Sequence, residues 1–153
     1  MKLSTQEEYG LRCLLHLARQ IPGHSLTIPE ISQAEGITHH NVAKLLRILR
    51  QGGFVASVRG QHGGYTLAIP ATQIAVSDVL AVLGGPLYDN QFCDHFAGSE
   101  DTCTHSPSAC SVRSLWDQVQ KAVDQVLMGT TLEDLLHQGQ SRAGEKVLIE
   151  ISS

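Results

Sequence analysis

The stretch TIPEISQAEGITHHNVAKLLRILRQGG, residues 27–53, holds two helix-forming segments separated by one glycine. Thr27 is followed three residues later by Glu30, a spacing typical of a helix start, and the proline between them suits a first helical turn. Gly36 then interrupts the pattern, and Thr38 caps a second segment that ends at a pair of glycines. Two short helices joined by a tight glycine-containing turn predict a helix-turn-helix.

The second of these helices has two distinct faces. Its apolar residues recur with helical spacing and predict a buried stripe: Val42, Leu45, Leu46 and Leu49. Its basic residues recur every third position on an adjoining face: Lys44, Arg47 and Arg50. On an isolated helix such charges usually form an ordinary solvated surface. Beside a helix-turn-helix they indicate a surface that contacts a polyanion.

The segment FVASVRGQHGGYTLAI, residues 54–69, predicts a β-hairpin directly after this helix. Two short apolar runs flank GQHGG, which supplies the glycines that a tight turn needs. A hairpin in this place is the wing of a winged helix. Arg59 and His62 lie at its predicted tip, where a side chain reaches a phosphate or a narrow minor groove. The alternative is that Arg59 is only a turn residue.

Further helices flank this unit. Ser4 and Glu7 form a capping pair for a first helix over residues 4–20, and a short apolar helix is predicted over residues 76–83. A long helix then carries an apolar stripe over four turns: Val112, Leu115, Trp116, Val119, Val123, Val126 and Leu127. This stripe packs either on the chain's own core or on a two-fold copy of itself. Thr131 caps one more short helix, and the tail beyond it is a strand or a loose segment.

The charge is distributed unevenly between the two parts of the chain. Residues 1–70 hold seven basic and four acidic side chains, a net charge of +3, whereas the remainder holds four and eleven, a net charge of −7; the sum is the −4 of the 153-residue chain. A basic first part and an acidic second part indicate two different roles. The chain contains no apolar run long enough for a membrane span and no signal-peptide pattern at its start, so we expect a cytoplasmic protein.

Three of the four cysteines lie in one acidic loop. Cys93, Cys103 and Cys110 are separated by nine and six residues, which is too irregular for a zinc knuckle or a ferredoxin motif. Nearby carboxylates disfavour free thiolates by charge repulsion, whereas a bound metal cation reverses that balance. The loop therefore favours metal binding over thiol redox chemistry. Zinc, and cysteines that are unmetallated or joined in a disulfide, remain alternatives to an iron–sulfur cluster.

The chain resembles the Rrf-type winged-helix transcription regulators, the family of IscR and NsrR, over about residues 1–137. The resemblance rests on the opening MKLSTQEEYGLRCLLHLA, the wing SVRGQHGGYTLA and the order of helix, cysteine loop and long helix. It implies a homodimer that binds double-stranded DNA at a palindromic operator, with a long helix that crosses to the other subunit. It also implies an iron–sulfur cluster, [2Fe–2S] or [4Fe–4S], on the three cysteines.

The resemblance places DNA contacts at the start of the third helix and in the wing. Together with the basic face and the wing tip, the candidate DNA-binding residues are Thr38, His39, His40, Asn41, Lys44, Arg47, Ser57, Arg59, Gly60 and His62. Asn41 and Lys44 have suitable chemistry, amide to adenine and cation to guanine or phosphate. Ala43 lies where IscR carries a glutamate used in discriminating between sites, so the operator of IscR does not carry over.

The fourth cluster ligand differs from that of IscR. IscR uses a histidine three residues after its last cysteine, and the matching residue here is Arg113, which cannot bind a metal. NsrR-like proteins supply a carboxylate from the first helix of the other subunit at a position that matches Glu8. Glu8 from the other subunit is therefore the first candidate. His95 and His105, within the loop, are the alternatives.

The predicted fold is mainly α with a small β-hairpin wing: a winged helix-turn-helix domain plus a long dimerisation helix. Residues 1–84 form the DNA-binding domain, 85–110 the cluster-binding loop, 111–137 the dimerisation helix and the short helix after it, and 138–153 the tail. The predicted function is a homodimeric transcription regulator that senses redox state, nitric oxide or iron–sulfur status through the cluster.

Two other functions compete with this one. A regulator of the same fold without a cluster would be a repressor that responds to thiol oxidation or to a partner protein. An iron–sulfur electron carrier or a small metalloenzyme would leave the basic helix and the wing without a purpose. The sequence contains no nucleophile–base pair, phosphate loop or suitably spaced carboxylate pair, so we expect no catalysis.

Overall fold

The computed structural model describes residues 3–86 and 110–151, with side chains through residue 141. The described elements follow one another in this order: α1 (Thr5–Ala18), α2 (Ile28–Glu35), α3 (His39–Gln51), β1 (Val55–Val58), β2 (Gly64–Leu67), a 3-10 turn (Ala71–Gln73), α4 (Val76–Leu83), α5 (Ser111–Met128) and α6 (Leu132–Ile151). The mainly helical fold with one antiparallel hairpin confirms the predicted fold class.

The helix starts follow the capping residues that the sequence predicts. The Ser4 hydroxyl accepts from the Glu7 amide, and the Glu7 carboxylate accepts from the Ser4 amide in return. Thr27 and Glu30 form the same reciprocal pair at the start of α2. Each cap satisfies amides that would otherwise lack a partner in the first turn, and such a cap contributes about 1 kcal/mol.

One hydrophobic core holds the first three helices, the hairpin and α4 together. The apolar stripe of α3 is buried as predicted, and side chains from the other elements close around it: Leu14, Leu17, Ile31, Val42, Leu45, Leu46, Leu49, Phe54, Val55, Ile74, Val79, Leu83 and Leu132. Burial of this stripe turns the basic residues of α3 outward. The packing of the core therefore determines which face of α3 meets solvent.

The hairpin is attached to the helices by a short backbone bridge. β1 and β2 pair in the register Val55↔Leu67 to Val58↔Gly64, and Leu26 exchanges two backbone hydrogen bonds with Tyr65 at 3.0 and 2.7 Å. Gly64 permits this close approach, because a Cβ there would lie 2.5 Å from the Leu26 carbonyl oxygen. The wing is thus held beside the segment that leads into α2.

The C-terminal region differs from the sequence prediction. The Thr131 hydroxyl caps α6 by accepting from the Asp134 amide, as expected, but the helix continues to Ile151 instead of ending near residue 137. The tail is therefore helical where the sequence predicted a strand or a loose segment. The Leu132 amide donates to the Ile74 carbonyl at 2.9 Å, which anchors the start of α6 beside α4.

Candidate nucleic-acid interface and cluster-ligand positions

The N-terminal turn of α3 presents the predicted DNA-contacting residues to solvent. The Thr38 hydroxyl accepts from the Asn41 amide at 3.2 Å, which fixes where the helix begins. All the candidate residues of this helix are exposed: Thr38, His39, His40, Asn41, Lys44 and Arg47. Val42 and Leu45, on the opposite face, are buried. The exposed side chains therefore stand on a turn whose orientation is fixed by the core.

The wing places the second set of candidate residues in a tight turn. Ser57, Arg59, Gly60 and His62 are all exposed. Gly60 has a φ of +118°, which side-chain-bearing residues rarely adopt, and its carbonyl accepts from the Gly63 amide at 3.0 Å. The Ser25 hydroxyl donates to the His62 carbonyl at 2.9 Å. This bond ties the wing tip to the loop in front of α2.

The cations of this surface are not neutralised by the carboxylates of the described residues. No ion pair in residues 3–86 and 110–141 involves Lys44, Arg47 or Arg59. Glu30, in the first turn of α2, accepts from the backbone and hydroxyl of Thr27, and these hydrogen bonds lower its pKa. Unpaired cations on one face are what a phosphate backbone requires.

Glu8, the candidate ligand from the other subunit, lies in an ion-pair network between α1 and α2. Its carboxylate oxygen lies 2.8 Å from Arg12 Nε, and both side chains are about half exposed. Hydrogen bonding and charge attraction from Glu8 raise the pKa of Arg12. Arg12 also lies 3.9 Å from Glu35, whose other oxygen lies 2.5 Å from His16 Nε2. A half-exposed carboxylate remains accessible to a metal held by another chain.

Of the three loop cysteines, only Cys110 belongs to the described residues. It is half-buried, occupies the position before α5 and makes no side-chain capping bond there. Cys93, Cys103, His95 and His105 lie outside the described residues. The candidate ligands among the described residues are a thiol at Cys110 and a carboxylate at Glu8, and both donor types suit iron. Whether these residues converge on one centre stays a prediction.

Cys13, the fourth cysteine, belongs to the core and not to this group. It is fully buried in α1, and burial, followed by the nearby charge of Glu35, raises the pKa of its thiol to about 12. A thiol with so high a pKa stays protonated at neutral pH and is a poor nucleophile or ligand.

The start of the cysteine loop is attached to the DNA-binding head. The Gln6 side chain of α1 donates to the Leu83 carbonyl at the end of α4, at 2.5 Å. The Gly84 backbone lies so close to the Glu7 carboxylate that a Cβ on residue 84 would be 2.4 Å from Glu7 Oε1. Sequence reasoning did not predict this contact or the His16–Glu35 pair. Both depend on the packing of separate helices. The Glu8–Arg12 pair differs, because residues four apart on one helix are neighbours and the sequence alone indicates their contact.

A helix-turn-helix with an exposed basic recognition helix, followed by a wing with an arginine at its tip, defines a winged-helix DNA-binding protein. The chain matches the Rrf2 family, described as "Iron-dependent Transcriptional regulator", over residues 3–138. It belongs to this family. The resemblance stated from the sequence is thereby confirmed.

Curated relatives and solved structures agree with this assignment. The chain is 36% identical over 136 residues to protein rrf2 of Nitratidesulfovibrio vulgaris (strain Hildenborough), covering 89% of this chain and 87% of that protein. The structure of CymR, the global cysteine regulator of B. subtilis, matches with a TM-score of 0.71 and 32% identity over 90% of this chain and 98% of that one. The structure of T. potens IscR matches with a TM-score of 0.72 and 29% identity, covering 91% of this chain and 88% of that one.

These findings establish the general function. The protein is a winged-helix transcription regulator and not an enzyme, because its family and these relatives are regulators. Among the described residues, no helix is long and apolar enough to cross a membrane. The relatives include both IscR and CymR, so membership of the family leaves the signal open.

Proposed function

We propose that this chain is a homodimeric cytoplasmic transcription regulator that binds a palindromic operator and senses redox state, nitric oxide or iron–sulfur status. The sensing group is an iron–sulfur cluster held by Cys93, Cys103 and Cys110, with Glu8 of the other subunit as the first candidate for the remaining ligand. His95 and His105 are the alternatives. The observation that carries the DNA-binding part is the row of exposed cations on α3 and the wing, which have no ion-pair partner among the described residues.

The exposure of α5 supports a dimer. None of its residues is buried, and its apolar side chains include Val112, Leu115 and Val126, which are 62%, 53% and 68% exposed. The stripe packs on the chain's own core only in part: Val119, Val123 and Leu127 are half-buried and α5 contacts α4, whereas the three side chains named above are left exposed. A two-fold copy of the same helix would cover them. Two heads on such a dimer read half-sites about 34 Å apart, one helical turn of DNA.

The positions of the loop ends support coupling between the cluster and the heads. The loop leaves α4, whose last carbonyl is held by Gln6 of α1, and it enters α5 at Cys110. A bound cluster supplies a rigid, redox-active link among its ligands. The ligands belong to the head on one side and to the dimer helix on the other, so a cluster that holds them together would restrict the orientation of the heads relative to α5. Loss of the cluster would free the ligands and shift the population toward a form with a different affinity for DNA.

A thiol-responsive regulator without a cluster is the second candidate function. This chain is 33% identical over 135 residues to CymR of B. subtilis, which is named as a cysteine regulator. One structural relative is a CymR in an oxidised form. In that case the same fold holds no cluster and responds to thiol oxidation or to a partner protein. The cysteines of the loop would then act as thiols.

Replacing Arg59 by alanine is expected to weaken binding to the operator about tenfold and to make the salt dependence of binding shallower, because a phosphate or minor-groove contact is lost. Fluorescence anisotropy with a labelled duplex over a salt series measures both quantities. Lys121→Ala, which removes a positive charge from the exposed surface of α5, is the control. Equal effects from the two substitutions would mean that the wing tip makes no specific contribution.

Protein purified without oxygen is expected to be coloured, with charge-transfer absorption and a Mössbauer signal from iron bound by sulfur. Cys103→Ala is expected to abolish both signals, because one of three thiolate ligands is lost. It should also remove the difference in operator affinity between cluster-loaded and cluster-free protein. Cys13→Ala is the control, since Cys13 is buried in the core. Colourless anaerobic protein with free thiols would favour the CymR-like alternative.

A further inference from the structure

Five of the six histidines in the described part of the chain fall into two groups, and the sixth, His24, is exposed in the loop between α1 and α2. His16 lies 2.5 Å from a carboxylate oxygen of Glu35, and His137 lies 3.1 Å from one of Glu133. Both have a negative partner within the protein. The histidines of the second group all belong to the candidate DNA interface.

His39 and His40 are in the first turn of α3, and His62 is in the turn of the wing. All three are exposed, and no ion pair in residues 3–86 and 110–141 joins any of them to a carboxylate. A helix N-terminus is itself a region of positive potential that attracts anions. The phosphates of a bound duplex are the anions that these three side chains would meet.

The neighbouring charges do not supply a competing negative partner. On the elements packed around α3 and beside the wing, the titratable and charged groups are Glu7, Glu8, Tyr9, Arg12, Cys13, His16, His24, Glu30, Glu35, Lys44, Arg47, Arg50, Arg59, Tyr65 and Asp78. Four of these carboxylates are already engaged by other groups: Glu7 by Ser4, Glu8 by Arg12, Glu30 by Thr27 and Glu35 by His16 and Arg12. Asp78 is in the first turn of α4.

We propose that operator binding by this protein is coupled to proton uptake at His39, His40 and His62, so that affinity rises as pH falls from 8 to 6. The inference rests on the proposed DNA-binding surface. In the complex, duplex phosphates would face the three exposed imidazoles and favour their protonated form. The bound state therefore holds more protons than the free state, and linkage requires that lowering the pH strengthens binding. Histidine is the side chain whose charge changes in this pH range.

The salt dependence of binding should change together with the affinity. Each protonated histidine that neutralises a phosphate releases a counterion, so the slope of log K against log salt steepens by about 0.9 for each such contact. We expect the pH dependence of operator binding to come from the three histidines together. Glutamine is the suitable replacement, because it has a similar size and hydrogen-bonding ability but does not titrate.

The test measures operator affinity by fluorescence anisotropy at pH 6, 7 and 8, over a salt series at each pH, with the full-length protein. We expect affinity to rise about tenfold or more from pH 8 to pH 6 at fixed salt, with a steeper slope at pH 6. The variant carrying His39→Gln, His40→Gln and His62→Gln should lose most of this pH dependence while still binding at pH 8. His137→Gln, distant in sequence and paired with Glu133, should retain it.

Each outcome has one meaning. Salt-dependent operator binding that is independent of pH would overturn the inference and leave the proposed function intact. A pH dependence that survives in the triple variant would also overturn it, since other groups would then titrate. Absence of salt-dependent duplex binding at all three pH values would overturn the proposed DNA-binding surface itself.

Discussion

Leu115→Glu is expected to convert the protein from a dimer to a monomer at micromolar concentration and to weaken binding to a palindromic operator at least about a hundredfold. Leu115 is 53% exposed on α5 although it belongs to an apolar stripe. In a two-fold dimer the substitution removes two leucines of which about half the surface would be newly buried, each contributing about 0.8–1.6 kcal/mol. The sum of about 1.6–3.2 kcal/mol corresponds to about one to two powers of ten in the dimer dissociation constant.

Burial of charge at the same seam adds to this loss. Each introduced glutamate would lose its water in the interface without gaining a cationic partner, and an unpaired buried carboxylate is costly. Analytical ultracentrifugation over a concentration series measures the dimer constant, and anisotropy with whole and half operators measures the consequence for DNA binding. A monomer should retain weak binding to a half-site.

Ser114→Glu is the matched control for this substitution. It introduces the same charge one residue earlier, on a side of α5 that helical periodicity places away from Val112, Leu115 and Val126, and Ser114 is exposed. The control should remain dimeric. If Leu115→Glu also remained dimeric with full operator affinity, α5 would not be the dimer seam, and the apolar stripe would need another partner.

The local features of the head could be predicted because the residues that determine them are close in the sequence. The Ser4–Glu7 and Thr27–Glu30 pairs determine helix starts within one turn, and both helices begin where these pairs predict. The periodicity of α3 separates its buried and exposed faces without any knowledge of its neighbours. The ten candidate DNA-binding residues, which came from the resemblance, the basic face of α3 and the predicted wing tip, are all exposed.

The features that sequence reasoning missed depend on contacts between distant segments. His16 and Glu35 meet only when α1 packs on α2, and neither residue stands out in the sequence. The length of α6 was missed because Gly139 and the polar residues around it suggested an end to the helix. A helix that is already anchored and capped at Thr131 avoids the unfavourable nucleation step, so a glycine costing about 1 kcal/mol does not stop it.

Leu46→Ala should lower the free energy of unfolding by about 3 kcal/mol, within the range of about 2–5 kcal/mol for fully buried leucines. Leu46 is completely buried in α3, between the face that carries Lys44 and Arg47 and the core contributed by α1 and α4. Truncation leaves a cavity that a close-packed core closes only in part, and the remaining contacts no longer hold the recognition helix at one angle. A loss of this size is a large fraction of the stability of a small domain.

Urea unfolding followed by circular dichroism, at one fixed protein concentration because unfolding of a dimer depends on concentration, measures this loss. Gln33→Ala, at an exposed position of α2, should change the free energy of unfolding by less than about 0.5 kcal/mol. A loss below about 1 kcal/mol in Leu46→Ala would mean that the core around α3 collapses onto the smaller side chain. In that case the orientation of Lys44 and Arg47 would depend on the wing and the caps more than on the buried stripe, and operator affinity would fall little in the same variant.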